Sequence, residues 1–183
     1  DKLVSNIIGT GIRPKRRAPD PALAAEIDEL WEDWTEESDT DGTFDFYGQQ
    51  DLAIRGALEG GEVFVRLRPR RPEDGLAVPL QIQILESELC PSEYNVTREN
   101  GNHIRAGIEF DAVGRRRGYW MYGSHPSDAH LSAAIDEQQL RFVPASEILH
   151  IYKPTRPGQI RGVPLLSGAI LRLWGLDKYD DAT

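Results

Sequence analysis

The chain has 183 residues, 39% hydrophobic and 28% charged, enough for one domain of moderate size with or without an extension. Its net charge of -9 and pI near 4.9 exclude a surface built throughout to hold nucleic acid by counterion release. The single cysteine, Cys90, excludes an intrachain disulfide and fits a reducing compartment, and no stretch approaches the roughly 20 apolar residues of a membrane span or the pattern of a signal peptide.

Asp1 to Ile12 is a short apolar segment ending in Gly9-Thr10-Gly11, a turn signal. A dinucleotide loop would need a third glycine where Pro14 stands. Arg13 to Pro19 is a basic linker. A helix is expected over about 20–38, with Asp20 as cap, Pro21 in the first turn, and an apolar stripe of Leu23, Ile27, Leu30 and Trp34 widened by Trp31. Most of its remaining surface is acidic: Glu26, Asp28, Glu29, Glu32, Asp33, Glu36 and Glu37. Such a face is ordinarily just solvated, and it can also meet a basic partner.

The charge is unevenly placed. From Ala18 to Ile54 there is no Lys or Arg, while Asp20 to Asp51 supplies twelve carboxylates. Basic residues cluster instead at Arg13–Arg17, Arg66–Arg71 and Arg115–Arg117. After a polar turn at Ser38–Thr43, a second helix is expected over about 47–59, ended by Gly60-Gly61.

A β-rich part follows, about 62–152. Glu62 to Arg68 alternates, with Val63, Val65 and Leu67 on one face and Phe64, Arg66 and Arg68 on the other, the pattern of a half-buried strand. Val78 to Leu85 alternates in the same way and should pair with it antiparallel. His103 to Asp111 reads as one strand with Ile104, Ala106, Ile108 and Phe110 on one face. A turn at Asp111–Arg115 then leads into Gly118–Tyr122 as the returning arm. Gly123 to Gln139 is a polar loop, and Arg141–Ala145 leads to a last strand, Ile148–Tyr152, closed by Lys153-Pro154.

The loop from Thr155 to Gly162 carries Arg156 and Arg161. Pro164 suits a first helical residue, and Leu165, Leu166, Ile170, Leu173 and Trp174 follow at helical spacing, so a helix is expected over about 164–181. Asp177, Asp180 and Asp181 are unfavourable at a true helix C-terminus. With a first residue that is not methionine, this reads as a fragment cut within a long helix.

Chemical motifs are sparse. His125 and His130, with Asp128 between them, match no usual zinc spacing. His150, in an apolar strand, reads as a hydrogen-bonded structural histidine, and Cys90 as an inert, buried thiol. There is no nucleophile elbow, no phosphate-binding loop and no nuclease-type acid-x-lysine pair in the acidic helices. No catalytic, cofactor or metal site is assigned.

Two tracts carry a resemblance. His150 to Pro164 reads H-x-Y-x-P-x-R-P-G-Q-x-R-G-V-P, and Gly107 to Arg115 reads G-I-E-x-D-x-x-G-R, followed by Tyr119-Trp120. Together they resemble the lambda-type bacteriophage portal proteins. The run Asn6 to Ile12, the Trp31/Trp34 pair, and Asp45, Gln50, Leu52, Ala53 and Arg55 followed by Gly61 and Phe64 agree in order along the chain. The resemblance implies an α+β wing region, 1–183, with flanking helices, an antiparallel and partly barrel-like sheet, and a C-terminal helix leading toward a stem. Stem, clip and crown would be absent.

The implied role is structural and non-enzymatic: a homo-oligomeric ring, a dodecamer in the full-length protein, at the unique capsid vertex of the virion, assembled in the host cytoplasm. Double-stranded DNA would pass through it, with terminase, major capsid or scaffold protein and head–tail adaptor as partners and no membrane. Complementary charge on one chain suits a head-to-tail interface. Its candidates are Arg115, Arg116, Arg117, Arg156 and Arg161 against Glu29, Glu32, Asp33 and Glu36. The competing reading is an acidic metal-dependent hydrolase or nuclease using the carboxylates and His125/His130. A stand-alone acidic interaction module is a third, against which the cut helix counts.

Overall fold

The computed structural model describes residues 2–127 and 137–180. Helices α1 (Lys2–Ile8), α2 (Pro21–Glu37) and α3 (Phe46–Glu59) come first. They are followed by strands β1 (Glu62–Pro69), β2 (Leu80–Leu85), β3 (Val96–Thr97), β4 (His103–Arg105), β5 (Ile108–Phe110), β6 (Arg116–Tyr122), β7 (Leu140–Pro144) and β8 (Ile148–Tyr152). Helix α4 (Ser167–Asp180) closes the described chain.

The strands form two antiparallel sheets, one of order β2-β1-β8 and one of order β3-β4-β5-β6-β7. The chain passes from the first sheet to the second between β2 and β3 and returns through the 3-10 turn Ala145–Glu147, which separates β7 from β8. Both orders are open. The expected α+β arrangement holds, while closure toward a barrel is not seen among the described residues.

Local chemistry explains the helices. Asp20 caps α2 by accepting the Ala22 N–H at 3.0 Å, with proline in the first turn. Asp45 caps α3 by accepting the Gly48 N–H at 2.7 Å. Both helices pack on one face of the β2-β1-β8 sheet through Trp34, Ala53, Val63, Val65 and Ile82. Trp31, Trp34 and Phe46 form an aromatic trio with centroids 5.0–5.3 Å apart, and the Trp34 indole donates to the Leu80 carbonyl at 2.7 Å.

A polar knot fixes the α2–α3 turn. The Asp39 carboxylate accepts from the backbone N–H groups of Asp41, Thr43 and Phe44 and from the Gln49 amide, and that amide also donates to the Ile82 carbonyl. Gln50 receives the Ile12 N–H at 2.7 Å and donates to the Ile12 carbonyl at 3.0 Å, pinning the segment after α1.

Four expectations change. The first half of β1 is buried on both faces and not on one: Val63 and Val65 face the helices, while Phe64 is 0% exposed in a second core against the other sheet, with Ile108, Tyr119, Val143 and Ile148. Alternation alone cannot show that a second layer covers the far face. His103 to Asp111 is two strands, because Ala106 (φ 50°) and Gly107 (φ 78°) turn the chain back between them. The stripe of α2 is only partly core, since Leu23, Ile27 and Leu30 are exposed. The last helix begins at Ser167, not Pro164, because Pro164 lies against Gly61 in the crossing loop.

Candidate functional site: a buried arginine clasp and the charged faces around it

The first residue of β1 is a carboxylate in an apolar setting. Glu62 is 3% exposed, and three donors converge on it. Arg161 Nε donates to Oε1 at 2.5 Å, and the Gly162 N–H and His150 Nε2 reach Oε2 at 2.7 and 2.8 Å. The rest of the Arg161 fork donates to main-chain carbonyls: Cys90 at 2.9 Å, Ala106 at 2.7 Å and Ser87 at 3.2 Å. One guanidinium therefore ties β1 to the turn before Cys90 and to the β4–β5 hairpin. Its planar set of five donors is what allows this, where an ammonium group would not.

The loop carrying Arg161 must run very close to the start of β1. A Cβ on Gly162 would overlap the Gly61 carbonyl, and one on Gly61 (φ 86°) would overlap the Val163–Pro164 backbone. Gln159 sets the curve of the loop: its Oε1 accepts from Thr155 N–H at 2.7 Å, its amide donates to the Arg161 carbonyl at 2.8 Å, and its own carbonyl accepts the Tyr152 hydroxyl. These are the residues of R-P-G-Q-x-R-G-V-P.

The proton arrangement follows from donor chemistry. Arg116 Nη1 lies 3.2 Å from His150 Nδ1, and a guanidinium can only donate, so Nδ1 accepts and Nε2 carries the hydrogen given to Glu62. Burial holds the His150 pKa below its ordinary value, outweighing the pull of Glu62. Burial alone would raise Glu62, but His150, Arg161 and Gly162 together hold it below the ordinary range. The cluster is an ionised Glu62, a neutral His150 and two guanidinium groups.

The first tract reaches the Ala106 carbonyl, immediately before the second tract begins at Gly107. A Cβ on Gly107 would stand 2.6 Å from Cys90 Sγ. Glu109 accepts from Asn102 at 2.6 Å and from the Trp120 indole at 2.8 Å. Asp111 closes the next turn by accepting the Val113 and Arg115 N–H groups at 3.1 and 2.8 Å, with Gly114 at φ 84°. Cys90 is buried, and burial pushes its thiol up to about 12, the inert reading.

The expected interface residues fall into two groups. Arg116 and Arg161 point inward and are engaged within the chain, Arg116 also donating to the Tyr119 hydroxyl at 2.8 Å. Arg115, Arg117 and Arg156 are exposed, as are Glu29, Glu32, Asp33 and Glu36. Among the described residues no ion pair joins the basic and acidic sets within the chain. Sequence reading passed over Glu62, and its signal was an acid opening an otherwise apolar strand.

Of the histidines considered for metal, His130 lies outside the described residues, as does Asp128. His125 Nε2 stands 3.2 Å from Glu86 Oε2, and with Glu88 the three offer ligand atoms within 4.8 Å of one another. The two carboxylates are exposed on a surface turn. No described helix is long and apolar enough to cross a membrane.

Residues 1–183 match the model of the family described as "Phage portal protein, lambda family". The chain is also 32% identical over 190 residues to the "Probable portal protein" of Halomonas phage phiHAP-1, a match covering 98% of the chain and 36% of that relative. The chain thus spans about a third of the relative's length. With the whole chain matched, and with the tracts that carried the resemblance forming one continuous clasp, the chain belongs to the lambda family of phage portal proteins.

Proposed function

We propose that this chain is the wing region of a portal ring at the unique capsid vertex, forming part of the channel through which DNA is packaged and ejected and of the head–tail connection. The observation that carries the reading is the family match along all 183 residues. In this reading the full-length protein is a dodecamer. Its partners are the terminase, the major capsid or scaffold protein and the head–tail adaptor, and double-stranded DNA passes through the ring. The protein belongs to the virion, is assembled in the host cytoplasm and performs no catalytic step.

Two surfaces support an oligomer. The turn before α4 bares Leu165 and Leu166, and α4 itself Ile170, Leu173, Trp174 and Tyr179, each 55–68% exposed, and an isolated helix of 14 residues is marginal in water. The α2 carboxylates and the exposed arginines Arg115, Arg117 and Arg156 offer opposite charge on separate elements.

The test is electron microscopy with mass measurement on the protein expressed at full length. Closed rings with a central channel are expected. A strict monomer at high concentration would overturn the reading, most clearly if it held a stoichiometric divalent metal, as the hydrolase reading built on the carboxylates and His125/His130 requires.

A further inference from the structure

On β1, Arg66 and Arg68 stand at alternate positions on the strand face that also carries Phe64, away from the helices, and Arg70 follows just past the end of the strand. Directly across the sheet Arg66 meets Gln83 and Arg68 meets Gln81, neither of which can neutralise a cation. Beyond the edge of the Phe64 core the two sheets part into a cleft of about 700 Å³, with Arg66, Arg68 and Gln83 on one wall and Met121, Arg141 and Val143 on the other.

The carboxylates near this cleft are mostly committed. Glu147 holds Arg66 at 2.9 Å and Glu86 faces His125, while Asp41 is exposed. Arg68, Arg70 and Arg141 have no carboxylate within ion-pair distance among the described residues. Burial and the adjacent Arg66 and Arg70 charges lower the Arg68 pKa, the mark of crowded positive charge.

On α2, Glu29, Glu32, Asp33 and Glu36 fall at i, i+3, i+4 and i+7, one stripe on the side away from the buried Ala24, Trp34 and Thr35. Among the described residues none of the four is ion-paired, and no basic residue lies between Ala18 and Ile54 to offset them. The stripe runs about 10 Å along the helix, and Arg66 and Arg68 stand about 7 Å apart along their strand, with Arg70 just beyond its end. The two surfaces point away from each other, because α2 covers one face of the β2-β1-β8 sheet and the ladder occupies the other.

We propose that the β1 arginine ladder and Arg141 form a docking cleft for the α2 carboxylate stripe of a second copy of this chain. Opposed, complementary surfaces make a heterologous contact, which propagates head to tail and closes into a ring when the rotation permits. The proposal rests on the ring reading above. It names the acidic partner surface and moves the basic one from the Arg115–Arg117 turn to the β1 face.

The experiment uses the full-length protein and reads the ring fraction by native mass at physiological salt. Arg68→Glu with Arg141→Glu, and separately Glu32→Arg with Glu36→Arg, are each expected to lower the ring fraction by at least about tenfold. Mixing the two variants is expected to restore hetero-rings, because each supplies the surface that complements the other. Circular dichroism and melting confirm folding; if the reversals unfold the chain, Arg68→Gln with Arg141→Gln carries the test with a smaller loss. Rings that persist in both reversed variants would overturn the docking while leaving the ring reading intact. A wild-type protein that forms no ring would overturn the ring reading itself. If the arginine variant loses binding to a DNA duplex while its ring fraction holds, the cleft faces DNA, and the proposal is overturned.

Discussion

Glu62 and His150 show how a structural cluster acquires a pH dependence. The folded His150 pKa lies below its unfolded value of about 6.5, so as the pH falls the unfolded chain takes up the proton first. The stability it contributes is complete above about pH 6.5 and is lost as the pH falls through the folded value. Glu62 acts with the same sign in a lower window, beneath about 4.3. Thermal melts from about pH 7.5 to about pH 5 should therefore show a falling Tm, and His150→Gln should flatten that slope. Arg161 has a larger effect. Arg161→Ala leaves Glu62 charged in a site where it is 3% exposed, with an expected cost of about 3–5 kcal/mol in urea unfolding. Arg161→Lys should fall between, keeping the charge but losing most of the carbonyl contacts to Cys90, Ala106 and Ser87.

At the scale of elements, the β4–β5 turn and α4 make opposite demands. Ala106 holds φ 50°, a left-handed conformation that an L side chain adopts at a cost of roughly 1–2 kcal/mol, and glycine would avoid most of it. Ala106→Gly should raise stability by about 0.5–1 kcal/mol, with the carbonyl that Arg161 uses left in place. A loss would show that the alanine methyl is needed where Arg161 crosses. Helix α4 is exposed along its length, with none of its described residues buried. Removing residues 167–183 should leave the unfolding free energy of the remaining body within about 0.5 kcal/mol, while lowering self-association at high concentration. The cap at Asp20, the β1–β2 pairing and the turn at Asp111 were legible because each is written in nearby residues. The hairpin at Ala106-Gly107 was not, since alternation continues across a two-residue turn and the sequence lacks the usual Asn-Gly pair.

At the scale of the whole molecule, the two tracts that identify the family are not surface recognition motifs. Arg161 of one bonds the Ala106 carbonyl that immediately precedes the other, tying the two sheets together. What faces outward is an acidic helix stripe, an arginine ladder on the opposite side and an uncovered apolar helix. The sequence by itself determined the α+β class, most of the element order, the acidic and basic clusters and the family, because periodicity, capping and motif spacing are local properties. Tertiary structure alone decided that the first half of β1 is buried on both faces, that Arg116 and Arg161 turn inward while Arg115 and Arg117 do not, and that the acidic stripe and the arginine ladder stand back to back. Those outcomes depend on which layers cover a strand, and that is set by residues 40 to 100 positions apart in the chain, such as Glu62 and Arg161 with |i−j| of 99.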